Sequence, residues 1–242
     1  MGTLPLQVIV NGLVSSSVYI LIALGFSLIF GVLGIFNFAH GFFYMLGAYA
    51  LYYLAMEAGL NHVLAIVLSI IIIAALGLFT ERVFFRPVRG QEMRSAVVAI
   101  GLLILISGLA LIGFGGREKT ITPLCPGVLS IFGAGLSYQR LIVIIVTIIL
   151  TLGLYFMLQR SKLGQAVRAV AQDRDVAALQ GINVDRTCLI TFGISCAFAA
   201  AAGVLIGPVF CLTLEMGMTA QMKAIIVVVL GGLGSIPGAI IG

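Results

Sequence analysis

Long apolar runs alternate with short polar connections along the whole chain. The runs lie at about 7–30, 31–57, 62–79, 95–114, 140–158, 187–210 and 223–242, each close to the ~20 residues that cross a ~30 Å hydrocarbon core. Within a run the apolar residues are continuous and do not alternate, which selects helices over the strands of a barrel. The pattern predicts an all-α polytopic membrane protein, a bundle of about seven transmembrane helices forming one domain over 1–242. Gly59, Leu60 and Asn61 make a tight turn between two runs, and Lys223 is expected to open the last one.

The largest polar island is 159–186, QRSKLGQAVRAVAQDRDVAALQGINVDR. It carries Arg160, Lys162, Arg168, Arg174 and Arg186 against Asp173, Asp175 and Asp185. Leu163, Val167, Val170, Arg174 and Ala177 follow four-three-four-three spacing, which sets a mostly small and apolar stripe on one face of a single helix. Gly181 stands where that helix should stop, because glycine accepts a left-handed cap at little steric cost. Asp185 is then expected to cap the next helix. The island reads as a short helix lying on the membrane surface between two spans.

A second interruption is GVLGIFNFAHGFFYMLGAY at 31–49. Gly31, Gly34, Gly41 and Gly47, with Gly25 nearby, and the polar pair Asn37 and His40 break an apolar run. Irregular backbone at membrane depth is tolerated only inside protein or along a wet cavity, so a broken or re-entrant element beside a translocation path is expected here, with Asn37, His40 and Gly41 at it. In the first run Asn11 and Ser15 are four apart and can hydrogen-bond to neighbouring helices. Ala199, Gly203 and Gly207, and again Gly234, Gly238 and Gly242, are spaced by four, which lets helix backbones approach closely; packing within the chain is preferred over contact with a partner.

Composition confirms the class. Of 242 residues, 62% are hydrophobic and 9% charged, against about 25% charged in soluble domains. The net charge of +5 sits mainly in two connections, with no exposed basic patch, so no nucleic-acid partner is expected. Arg82, Arg86, Arg89 and Arg94 occupy 81–94, and the five basic residues above occupy 159–186. Two spans separate these connections, so both fall on one face, which the positive-inside rule makes cytoplasmic. Three spans precede the first, which places the N-terminus outside. Residues 1–81 hold no Lys or Arg, so no secretory signal is expected. The connection 115–139 is long, poor in charge and rich in Gly and Pro, with Pro123, Pro126, Gly127, Gly133 and Gly135. Cys125, Cys188, Cys196 and Cys211 lack C-x-x-C spacing, which argues against a metal or redox site; Cys125 and Cys211 share the outer side, where a disulfide is one option.

NFAHG at 37–41 followed by MLGAY at 45–49 resembles the Liv-type permease subunits of ABC importers for branched-chain amino acids and related small solutes. The resemblance continues through Arg168-Ala169, Asp173, Ala177, Gly181-Ile182, Phe192, 199–203 and VLGGLGSIPGAIIG at 229–242. Members usually continue past this last segment, which implies that the chain is truncated at Gly242. The island also departs from the Glu-Ala-Ala-three-residues-Gly pattern of many importers: Val176 precedes Ala177-Ala178, and Gly181 comes one residue early. The resemblance implies a coupling helix that fits a groove on a cytoplasmic ATPase, with Gly164, Val167, Arg168, Val170, Asp173, Ala177, Ala178 and Gly181 as its residues. It also implies a second permease subunit, a periplasmic solute-binding protein, a small-molecule solute and the lipid of a bacterial inner membrane as partners, with no cofactor.

No Gly-x-x-x-x-Gly-Lys-Ser/Thr loop occurs, so ATP would be bound by a separate subunit and the chain itself is not read as an enzyme. Two other classes stay open. A secondary transporter or channel independent of an ATPase needs ion sites, yet no Asp or Glu lies well inside a run; Glu57 and Glu215 sit near run ends. An intramembrane enzyme would have to use His40 or His62, neither with a carboxylate close in sequence.

Overall fold

The computed structural model describes residues 3–125, 127–131 and 134–241; Pro126, Gly133 and Gly242 lie outside them. The chain is an all-α membrane protein. Five helices are long and apolar enough to cross a membrane: α1 (Thr3–Leu33), α3 (His62–Thr80), α4 (Glu92–Phe114), α5 (Tyr138–Arg160) and α8 (Val184–Ile206). Where the sequence suggests about seven spans, the two others are shorter: α2 (His40–Tyr52), prolonged by a wide turn to Glu57, and α9 (Met216–Gly231). Two surface helices, α6 (Lys162–Gln172) and α7 (Arg174–Leu179), and a terminal α10 (Ile236–Ile241) complete the set.

Helices α1 and α8 form the centre. In each, 72% of the membrane-crossing stretch is buried, against 28%, 17% and 22% in α3, α4 and α5, which turn flanks of Ile and Leu outward to lipid. Small residues permit the central packing. A Cβ on Gly47 of α2 would stand 2.7 Å from the Ala200 Cα, and one on Gly203 of α8 would run into the Tyr44 carbonyl. A Cβ on Gly77 of α3 would come within 2.6 Å of the Cys196 side chain. The Ala199–Gly203 ribbon therefore serves packing inside this chain, as preferred from its spacing.

The polar segments follow local rules with two corrections. The island is not one helix but two, because Asp173 takes an extended conformation (φ −157°, ψ 119°) and its carboxylate accepts from the Asp175 and Val176 N–H groups at 2.9 and 3.0 Å. That local cap outcompetes helix continuation. Gly181 ends α7 at φ +82°, with Gly181 N–H donating to the Ala178 carbonyl and Ile182 N–H to that of Ala177, the paired bonds of a glycine stop. The second correction concerns Asp185. Asn183 caps α8 by accepting from the Arg186 N–H at 2.9 Å, which frees Asp185 for ion pairs.

On the opposite end, the connection after α4 contains a hairpin that the Gly and Pro content gave no reason to expect. Strand β1 (Val128–Ile131) pairs antiparallel with β2 (Ala134–Ser137), Val128 opposite Ser137. Upstream, Lys119 and Leu212 exchange backbone hydrogen bonds at 3.2 and 2.8 Å. The Lys119 ammonium donates to the Tyr53 hydroxyl at 2.7 Å and sits over the Tyr52 and Tyr53 rings, tying this connection to the end of α2.

Candidate translocation path and coupling surface

Helix α1 ends at Leu33, and residues 34–39 run non-helically before α2 begins at His40. The interruption expected at Asn37, His40 and Gly41 is therefore present. His40 packs against Gly25, about two turns before the end of α1: a Cβ there would lie 2.8 Å from both the His40 Nε2 and the Ser195 carbonyl of α8. So α2 starts inside the bundle. The first N–H groups of a helix have no partner within it; here those of His40 and Phe42 donate to the Asn37 and Ala39 carbonyls, while side chains serve Gly41 and, just ahead of the helix, Ala39. Asn37 Oδ1 accepts from the Ala39 N–H at 3.1 Å, and Gln221 Oε1 of α9 accepts from the Gly41 N–H at 2.6 Å. Gln221 Nε2 also donates to the Asn37 carbonyl at 3.4 Å. Asn37, His40 and Gln221 are all buried. Gly41 has to be glycine, because a Cβ would collide with the Gly217 carbonyl of α9. Gln221 is the member missed from sequence; an amide isolated within the apolar run of α9 is the signal that marks it.

This cluster is closed by its neighbours and lines none of the cavities described. A cavity of about 300 Å³ lies one turn further along α2 at Tyr44. Its walls are Ser15, Val18 and Tyr19 of α1, Ile206 of α8, Phe210, Cys211, Thr213 and Glu215 of the following connection, and Met216, Thr219 and Ala220 of α9. A second cavity of about 270 Å³ opens at the other end between α1, α5 and α6, beside Ser27, Val32, Leu158, Val167 and Arg168.

At that end the island's residues divide. Gly164, Val167, Val170 and Ala177 are buried; the Gly164 backbone is so close to α5 that a Cβ would strike the Leu158 carbonyl. These four pack on the chain's own spans and are not open to a partner. Arg168, Asp173, Ala178 and Gly181 are exposed. Beside them, Val176 at 48% and Leu179 at 87% exposure present the apolar surface the stripe was expected to offer. Arg174 ties the segment to the bundle by donating to the Val32 carbonyl at 3.0 Å, directly before the break.

Ion pairs join the two charged connections. Asp185 pairs with Arg86 and, at 2.6 Å, with Arg89. Arg89 in turn pairs with Glu81, whose side chain is fully buried. The two connections thus lie at one end of the bundle, as the count of spans requires. Lys223 is a correction: it stands in the middle of α9, not at its start, and donates to the Tyr19 hydroxyl at 2.7 Å. Among the described residues no three His, Cys, Asp or Glu side chains gather into a metal-binding group, and all four cysteines are free thiols, Cys125 and Cys211 exposed.

The profile of the branched-chain amino acid transport system / permease component family matches residues 8–242. The chain is 39% identical over 253 residues to the high-affinity branched-chain amino acid transport system permease protein BraD of Pseudomonas aeruginosa, covering 98% of this chain and 82% of that protein. It is 38% identical over 252 residues to the corresponding LivH protein of Escherichia coli and 37% to that of Salmonella typhimurium, with the same coverage. No solved structure matches. With a broken first helix pair, a surface segment fastened to the break and a match over nearly its whole length, the chain belongs to the branched-chain amino acid transport system permease family.

Proposed function

We propose that the chain is the transmembrane permease subunit of an ABC importer that moves branched-chain amino acids, or related small solutes, across a bacterial inner membrane. Its relatives' names carry that solute class. Separate cytoplasmic subunits bind and hydrolyse ATP, a second permease subunit completes the path, and a periplasmic binding protein delivers the solute. The N-terminus is outside, and the connections 81–94 and 159–186 face the cytoplasm.

One observation carries the mechanical reading: the hydrogen bond from Arg174 to the Val32 carbonyl. It fastens α7 to the last turn of α1, next to the non-helical residues 34–39. The exposed faces of α6 and α7, with Arg168, Asp173, Val176, Ala178, Leu179 and Gly181, enter the ATPase groove. Gly164, Val167, Val170 and Ala177 hold the segment to the spans. When the ATPases close, α7 moves and draws on the end of α1. The break absorbs the change, because beyond Gly34 no helical ladder has to be broken, and α2 tilts beside Asn37, His40 and Gly41 to re-open the path on the other side.

The test is co-expression with candidate ATPase and binding-protein subunits, copurification in detergent, and leucine uptake after reconstitution. ATP-dependent uptake that requires the binding protein supports the reading. Uptake by the permease alone, driven by an ion gradient, would assign the chain to ATPase-independent secondary transporters or channels instead.

A further inference from the structure

Lys223 is the one Lys, Arg, Asp or Glu well inside an apolar helix among the described residues. It stands about 10–12 Å from either end of α9, level with Tyr19 near the midpoint of α1, too deep to reach an interface easily. Its side chain is exposed on this chain, so its ammonium must meet water or another molecule, since hydrocarbon solvates it poorly. Among the described residues no carboxylate lies within 4.0 Å of it; its contacts are the Tyr19 hydroxyl at 2.7 Å and the face of that ring at 4.6 Å. Tyr19 is a wall of the 300 Å³ cavity, whose size is at the lower end for small-molecule sites. The same cavity offers Glu215, which makes no ion pair among the described residues, and an apolar side formed by Val18, Ile206 and Phe210.

We propose that Lys223 and Tyr19 form a carboxylate-recognition site in the translocation path, which takes the α-carboxylate of a zwitterionic, apolar amino acid. An ammonium with no counter-ion of its own attracts an anion. The Tyr19 hydroxyl, accepting from Lys223, has its proton free to donate into the cavity. Branched apolar side chains of the solute would lie against Val18, Ile206 and Phe210. This inference rests on the proposed solute class and names the residues that read its charged end.

The experiment uses the assembled importer in liposomes with leucine as solute. Lys223→Met should lower the maximal uptake rate at least roughly tenfold, the scale of one lost charge-assisted hydrogen bond. Copurification of permease and ATPase, and ATP hydrolysis stimulated by the binding protein, should persist. Lys223→Arg should restore much of the uptake, and Tyr19→Phe should lie between. For a variant that assembles poorly, Lys223→Cys is thiolated after assembly in a background with Cys125→Ser and Cys211→Ser. An aminoethyl adduct, which rebuilds the ammonium, should recover uptake; a methyl adduct should not. Wild-type uptake by Lys223→Met, or equal behaviour of the two adducts, overturns the site. Loss of the permease pair in Lys223→Met and in the methyl adduct would show the ammonium meeting a partner carboxylate, and also overturns it. A wild-type complex with no ATP-dependent uptake of any branched-chain amino acid or related small solute refutes the proposed function itself, whereas one that imports a related solute but no apolar amino acid, or a leucine importer indifferent to Lys223, refutes only this site.

Discussion

Gln221→Leu isolates the long-range bond that lets α2 begin inside the bundle. The change keeps the side chain close in size and apolar, so α9 should still insert. It removes the acceptor 2.6 Å from the Gly41 N–H and the donor 3.4 Å from the Asn37 carbonyl. The Asn37 carbonyl keeps its bond from the His40 N–H at 3.1 Å, and 3.4 Å is too long to contribute much. The cost is therefore set by Gly41, whose N–H is left buried with nothing to bond, about 1–3 kcal/mol. Asn37→Leu should cost a similar amount through the Ala39 N–H, and because both residues serve one helix start, the double variant should cost less than the sum. Unfolding of the detergent-solubilised protein by graded denaturant measures the stability, with membrane yield as the insertion control and reconstituted uptake as the functional reading. Wild-type stability in Gln221→Leu, or full additivity with Asn37→Leu, would falsify the view that these side chains cap α2 together.

Membrane-impermeant thiol reagents applied from outside should label a cysteine at Gly115 and miss one at Gln91; labelling at Gln91 reverses the orientation. Arg89→Met leaves the buried Glu81 carboxylate uncompensated, so it should destabilise by about 3–5 kcal/mol, and Glu81→Gln in the same chain should recover part; an unchanged unfolding midpoint in Arg89→Met rejects this. The hydrogen bond to Tyr53 raises the pKa of Lys119, so its tether is intact at neutral pH and is lost only as pH rises through that elevated value; hydrogen-exchange protection of the 115–125 backbone, measured relative to the intrinsic exchange rate at each pH, that already falls between pH 6 and 8 contradicts the assignment. Leu179→Asp, on the exposed face, should leave folding intact and abolish ATPase copurification, while Ala177→Asp, at a site 2% exposed, should lower the folded yield itself, since an unpaired buried charge costs several kcal/mol; the reverse pattern would turn α7 over.

The features legible in sequence are those decided locally. Continuous apolar runs mark the spans, and Gly181 stops α7 because a left-handed residue is needed there. Asn37 and His40 mark the break, and Asn37 does so because its side chain satisfies backbone that a helix does not, accepting from the Ala39 N–H. Features that depend on distant partners are not readable this way. Gln221 caps a helix 180 positions away. Asn183 and Asp185 are both fit to cap α8, and the choice falls to Asn183 while Arg86 and Arg89 engage Asp185. A stripe of small apolar residues looks alike whether it faces the chain's own spans or a partner, so the direction of Val167 and Ala177 required the packed structure. The split at Asp173 was readable in principle, since an Asp ahead of two free N–H groups is a helix start, yet the unbroken apolar spacing across it concealed the cap.

In the proposed mechanism, the placement of these contacts would let one short surface helix act on the membrane interior. Arg174 holds the end of α1, and a few residues earlier Gly31 touches Gly234, just after α9. Helix α9 carries Gln221 at the start of α2 and Lys223 beside Tyr19. A push on α7 therefore reaches α1 directly, and α9 through the Gly31–Gly234 contact, where no side chains intervene to absorb it. Residues 34–39 join α1 to α2 without a continuous helical ladder, which in the proposed mechanism makes them the segment that bends. Under the proposed coupling, helices around this one segment would convert a displacement of α7 into a rotation of α2 about its buried start. In that geometry Asn37 and Gln221 act as the pivot, and the cavity wall at Tyr44, one turn along the same helix, is the surface that moves.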